Sequence, residues 1–118
     1  MMKKLSDFKD EQAIGVVADL LPPIMGVLTN RENMKLKDET NAFRMFSGFF
    51  RNSAKEMMEI FAILSETPIE EYHCDGVDVV NNILTLSSDE RLVQLFTSQS
   101  QKGDATSSGS ASGNAGKN

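Results

Sequence analysis

The sequence predicts an all-α fold: a small helical domain of five to six helices around one long central helix, with a disordered C-terminal tail. Three observations carry this expectation. Thr40 to Glu66 contains no proline and repeats its apolar residues at three- and four-residue steps. Helix-start signals recur on both sides of that stretch, at Asp10, Thr67-Pro68, Asp75 and Ser87. From Gln99 onward there is no Leu, Ile, Val, Phe, Met or Tyr. A core must therefore come from about 90 residues, enough for one marginally stable domain.

Residues 1–9 are polar apart from the methionines, Leu5 and Phe8, and read as a flexible, fraying N-terminus. The helical domain is expected over 10–98. Asp10 is a good N-cap, and Ala13, Ile14, Val17, Leu20 and Leu21 make an apolar stripe behind it. Pro22 and Pro23 follow. A proline removes a helix hydrogen bond and restricts the residue before it, which predicts a break near Leu21 and a second short helix from there to about Asn30. Arg31 to Glu39 is charged and without period, a linker with one turn carrying Met34 and Leu36.

The central helix comes next, with Thr40 or Asn41 as its cap. Phe43, Phe46, Phe50, Met57, Ile60 and Leu64 define its core stripe. Phe49, Met45 and Met58 fall off that stripe, and they are the candidate partner-binding residues: methionine is flexible and polarisable and suits adaptable contacts. Thr67, Pro68 and Glu70 then form a capping-box pattern for a short helix near Pro68 to Tyr72. Asp75 caps a helix through Val77, Val79, Val80, Ile83, Leu84 and Leu86; its β-branched residues make a strand the competing reading for 77–80. Ser87 and Glu90 stand in capping-box relation before a last helix carrying Leu92, Val93, Leu95 and Phe96 and ending near Ser98. Residues 99–118, rich in Gly, Ser, Ala and Asn, are too poor in apolar groups to offset their ordering entropy.

The composition narrows function. The formal charge is −5 and the basic residues are dispersed, which argues against nucleic acid as a partner. Cys74 is the only cysteine, so no internal disulfide can form and a reducing cytoplasm is expected. No apolar run approaches the roughly 18 residues of a membrane span, so no membrane partner is expected. His73 and Cys74 are adjacent, an arrangement that points their side chains apart, and no supporting carboxylate or amide is implied. One His and one Cys cannot complete a zinc site. Glu70-Glu71 and Asp75 with Asp78 read as first-turn carboxylates. Gly15, Gly26 and Gly48 are isolated and read as close-packing points between helices. No enzyme activity, cofactor or metal is expected.

Beyond composition, the stretch SETPIEEYHCDGVDVVNNILTLSSDERLVQLFTSQ resembles the C-terminal half of tail assembly chaperones from long-tailed phages of Gram-positive bacteria. The resemblance rests on Thr67 to Tyr72, Asn82 to Leu86 and Leu92 to Gln99, with Asp7 to Ala13 and Asp19 to Ile24 upstream. These are packing and capping patterns, and the chain departs from them at Phe43 to Phe50, where the family is more aliphatic and lysine-rich. The resemblance implies a small all-α, non-catalytic protein of the host cell cytoplasm that is absent from the mature virion. It would bind the tape measure protein and keep it soluble during tail tube assembly. A longer frameshifted product would recruit tail tube protein. Self-association is a further expectation, and a small neck or connector protein retained in the virion is the alternative.

Overall fold

The computed structural model describes residues 2–36 and 39–104, with the backbone alone for 99–104. Its elements are α1 (Asp10–Leu28), α2 (Arg31–Met34), α3 (Ala42–Asn52), α4 (Ala54–Leu64), α5 (Gly76–Ser88) and α6 (Glu90–Asp104), with 3-10 turns at Leu5–Asp7 and Ile69–Glu71. No strand occurs among the described residues, and 77–80 are helical. The all-α expectation holds. The disordered-tail expectation for 105–118 lies outside the described residues, while 99–104 extend α6 past the expected end at Ser98.

The expected single central helix is two helices. The chain breaks at Ser53, whose backbone leaves the helical region at φ −139°, ψ 53°. Nothing local demands this. Asn33, twenty residues upstream and buried, is hydrogen-bonded to the break. Its side-chain amide donates to Ser53 Oγ and to Val27 O, each at 2.8 Å. Asn52 Nδ2 donates to Asn33 Oδ1 at 3.1 Å, and Asn30 Nδ2 reaches the Asn52 carbonyl at 3.4 Å. Asn30 thus gives the Asn52 carbonyl a donor at the break, and Asn33 ties the Ser53 and Asn52 side chains across it.

At α1 the reverse correction applies: the helix runs unbroken through Pro22 and Pro23. The prolines deprive the carbonyls of Ala18 and Asp19 of their i+4 donors. Both residues are exposed, so water can hydrate those carbonyls. On the opposite face Leu20, Ile24 and Val27 are buried on either side of the proline pair, and Pro23 is buried with them. Burying a large aliphatic side chain contributes about 1.5–3 kcal/mol, enough for several to outweigh a proline penalty of about 3 kcal/mol each.

α1 packs chiefly on α4, and α3 on α5 and α4. The core joins Leu20, Ile24 and Val27 of α1 with Met57, Ile60, Phe61 and Leu64 of α4, and closes with Ile83, Leu86, Leu92 and Phe96. The N-terminus does not hang free as expected. Met2 and Phe8 are buried, Lys3 N donates to Leu64 O at 2.8 Å, and Leu5 N donates to Asp89 Oδ2 at 2.6 Å. Lys3 also pairs with Glu66 at 2.6 Å. Glu66 sits at φ 56° just beyond α4, where Thr67 N reaches Ala62 O and Glu66 N reaches Ile63 O, the double bond of a left-handed helix stop.

The capping expectations divide. Asp75 and Asp78 form a reciprocal capping box on α5. Asp10 is the first residue of α1 and makes no cap. The Thr67 hydroxyl donates to Ser65 O instead of opening a helix, and Pro68 precedes only a 3-10 turn. Ser87 and Ser88 close α5, and the buried Asp89 caps α6 by accepting from Leu92 N at 3.3 Å.

Candidate interaction surface

The expected partner residues do not form an exposed patch. Phe49 is 2% exposed, stacked on Phe96 at 5.7 Å and edge-on to Phe46 at 5.9 Å. It is a core residue. Met45 and Met58 are half-buried against the same core, and Met58 Sδ lies 3.4 Å from Cys74 Sγ. Phe43, assigned to the core stripe, is 37% exposed instead. The inner face of α3 is centred on Phe46 and Phe49, about 60° around the helix from the centre of the expected stripe.

The chemical candidates also separate. Burial, reinforced by Asp78 and Asp75, pushes the Cys74 thiol up, which favours the unreactive protonated form. Burial likewise raises the Tyr72 phenol, against a donated hydrogen bond from Asn82 Nδ2 at 2.8 Å. Among the described residues no group of three His, Cys, Asp or Glu is placed to hold a metal. Gly26 faces Glu56 of α4 and Gly48 faces Leu36, both close approaches, whereas a side chain at Gly15 would meet open space.

What the fold leaves uncovered is the outer face of α1. Ile14 is 72% exposed and Met25 41%, Ala18 is exposed and Leu21 is half-buried. They recur at i, i+4, i+7 and i+11, a continuous apolar strip about 16 Å long at 1.5 Å per residue. Ile14 belongs to the apolar stripe expected behind Asp10, and of that stripe Leu20 is buried while Ile14 faces outward. The prolines hid this strip by suggesting that Met25 belonged to a separate helix. As one 19-residue helix with an 18-residue window of mean hydropathy 1.3, α1 also has the length and apolarity of a membrane span, contrary to expectation, although its inner face is packed on α4. A shorter strip, Val77, Val80 and Leu84, is exposed on α5.

Beside the α1 strip lies a groove of about 380 Å³, between α1 and the turn that follows α4. Pro22, Pro23, Ile63 and Ile69 are among its apolar walls, and Asp19 and Glu59 contribute carboxylates. On the helical wheel Pro22 falls between Ala18 and Asp19, so strip and groove are contiguous. No lysine, arginine or histidine lines the groove, and α1 and α5 contain none. No protein-family model, no curated protein and no solved structure matches this chain.

Proposed function

We propose that this chain is a non-catalytic assembly chaperone that masks the apolar stripe of a long helical client, acting as tail assembly chaperones do on a tape measure protein in the infected cell. The observation that carries the reading is the outward apolar strip Ile14, Ala18, Leu21, Met25 on a helix already anchored by its opposite face. A helix apolar on two faces has one to spare for a partner, and helix-on-helix docking is a common recognition mode. Many copies along one long client would add weak contacts by multivalency, so no single contact need be tight. The acidic surface keeps such copies apart in solution.

The test is co-expression of the chain with a phage tape measure protein, reading the soluble fraction of the client. The wild-type chain should raise that fraction, and the Ile14→Glu/Met25→Glu double variant should not. Equal client solubility with and without the chain would overturn the proposal. Recovery of the chain in fixed copy number from purified particles would favour a structural component instead.

A further inference from the structure

We infer that the groove beside α1 receives a lysine or arginine side chain, so that the segment this chain binds is a basic amphipathic helix. The inference rests on the binding-module reading above and specifies the chemistry of its partner. Three features converge. The groove is apolar along its walls, suited to the aliphatic stem of a long cationic side chain. Its ionisable lining groups are Asp19 and Glu59, and among the described residues neither forms a salt bridge with a lysine or arginine. The carbonyls of Ala18 and Asp19, left without helical donors by Pro22 and Pro23, lie at the same edge and accept hydrogen bonds.

Charge selects among occupants of the strip. The charged side chains of α1 are Asp10, Glu11 and Asp19. A second copy of α1 brings carboxylates and no basic side chain, so like charge opposes pairing. An anionic lipid surface meets the same repulsion. A helix whose apolar stripe is flanked by lysine or arginine meets attraction, with one cation placed over Pro22 toward Asp19 and Glu59.

The test uses synthetic helical peptides of about 20 residues, long enough to hold helix, sharing one Leu/Ala stripe and differing only in Lys, Gln or Glu flanks. Their binding to the full chain is followed by fluorescence anisotropy at about 50 mM and 300 mM salt. The Lys peptide should bind at least roughly tenfold more tightly than the Glu peptide, with the gap narrowing at high salt. Asp19→Asn/Glu59→Gln should abolish the preference for Lys over Gln and leave the Gln peptide unchanged. Equal binding of Lys and Glu peptides, an undiminished Lys preference in the double variant, a self-association that the Lys peptide does not displace, or tighter binding to phosphatidylglycerol vesicles than to the peptide would each overturn the inference. Client rescue lost in Ile14→Glu/Met25→Glu, together with a wild-type chain that shows no preference for the Lys peptide, overturns the basic-partner inference alone. A Lys preference in a chain that rescues no client overturns the chaperone reading alone.

Discussion

Asn33→Ala tests whether the break at Ser53 is imposed from a distance. Asn33 donates twice at 2.8 Å, to Val27 O and Ser53 Oγ, and accepts from Asn52 Nδ2 at 3.1 Å. Each such bond contributes about 0.5–1.5 kcal/mol net, and a buried group left without a partner costs about 1–3 kcal/mol. Val27 O keeps a second donor, Asn30 N at 3.2 Å, so the buried group left without this partner is Ser53 Oγ. The sum is about 3 kcal/mol. For a domain of this size that lowers the melting temperature by about 10–20 °C. Urea unfolding followed by far-UV circular dichroism measures it. Ser53→Ala is the control. It removes one bond while improving local helix propensity, so its cost should be about 1 kcal/mol or less. In the double variant the two effects should fail to add by about 1 kcal/mol, the coupling expected of contacting groups. An Asn33→Ala cost below about 0.5 kcal/mol would refute the argument, because the break would then be intrinsic to α3 and α4.

Four other outcomes follow from the same structure. Phe49→Ala should cost about 3–5 kcal/mol in denaturant unfolding, the range for emptying a buried aromatic site, and not merely weaken binding. Gly15→Ala should stabilise the fold by about 0.5–1 kcal/mol, since the added methyl meets nothing within 4 Å, whereas Gly48→Ala must displace Leu36 and should gain less. Asp89→Ala removes the cap on Leu92 N and orphans Leu5 N; a loss of about 2–3 kcal/mol is expected, with faster amide exchange in residues 2–8. Lys3 has its pKa raised by the hydrogen bond and charge of Glu66, so its stabilising effect is complete at neutral pH and disappears as pH rises through its folded pKa. The stability difference between wild type and Lys3→Gln, measured from neutral pH upward, should therefore fade in strongly alkaline solution.

The sequence carried the helical class because its signals there are local. Asp75 and Asp78 are three residues apart, and the period of Ile83 and Leu86 needs only neighbouring residues to be read. Non-local causes were invisible. Ser53 lies in a run with no helix breaker, and the side chain bonded to it, Asn33, belongs to α2. The N-terminus looked polar, yet Met2 and Phe8 are held by Leu64 and Asp89, partners far along the chain. The prolines misled in the opposite direction: their penalty is local, but the burial that offsets it is tertiary. The same error concealed the interaction surface. Once α1 is continuous, Ile14, Ala18, Leu21 and Met25 fall on one line that could have been found at helical period. Phe49 failed as a contact because the stripe on α3 was phased from Phe43, and that residue turns out to lie at the edge.

The division of labour within α1 makes the functional test decisive. Its inner residues Leu20, Ile24 and Val27 are fully buried and anchor the helix to α4. Ile14 and Met25 keep much of their surface in water and add little to that anchoring. Replacing them with glutamate should leave unfolding within about 0.5 kcal/mol of wild type, as for surface changes away from caps and buried contacts. A Leu20→Glu change, by contrast, buries an unpaired charge and should unfold the domain. Loss of client rescue by Ile14→Glu/Met25→Glu in a chain of unchanged stability can then be assigned to the surface itself. If that pair instead lowers stability by more than about 2 kcal/mol, the outer face of α1 is part of the fold and the strip is not an unoccupied docking surface.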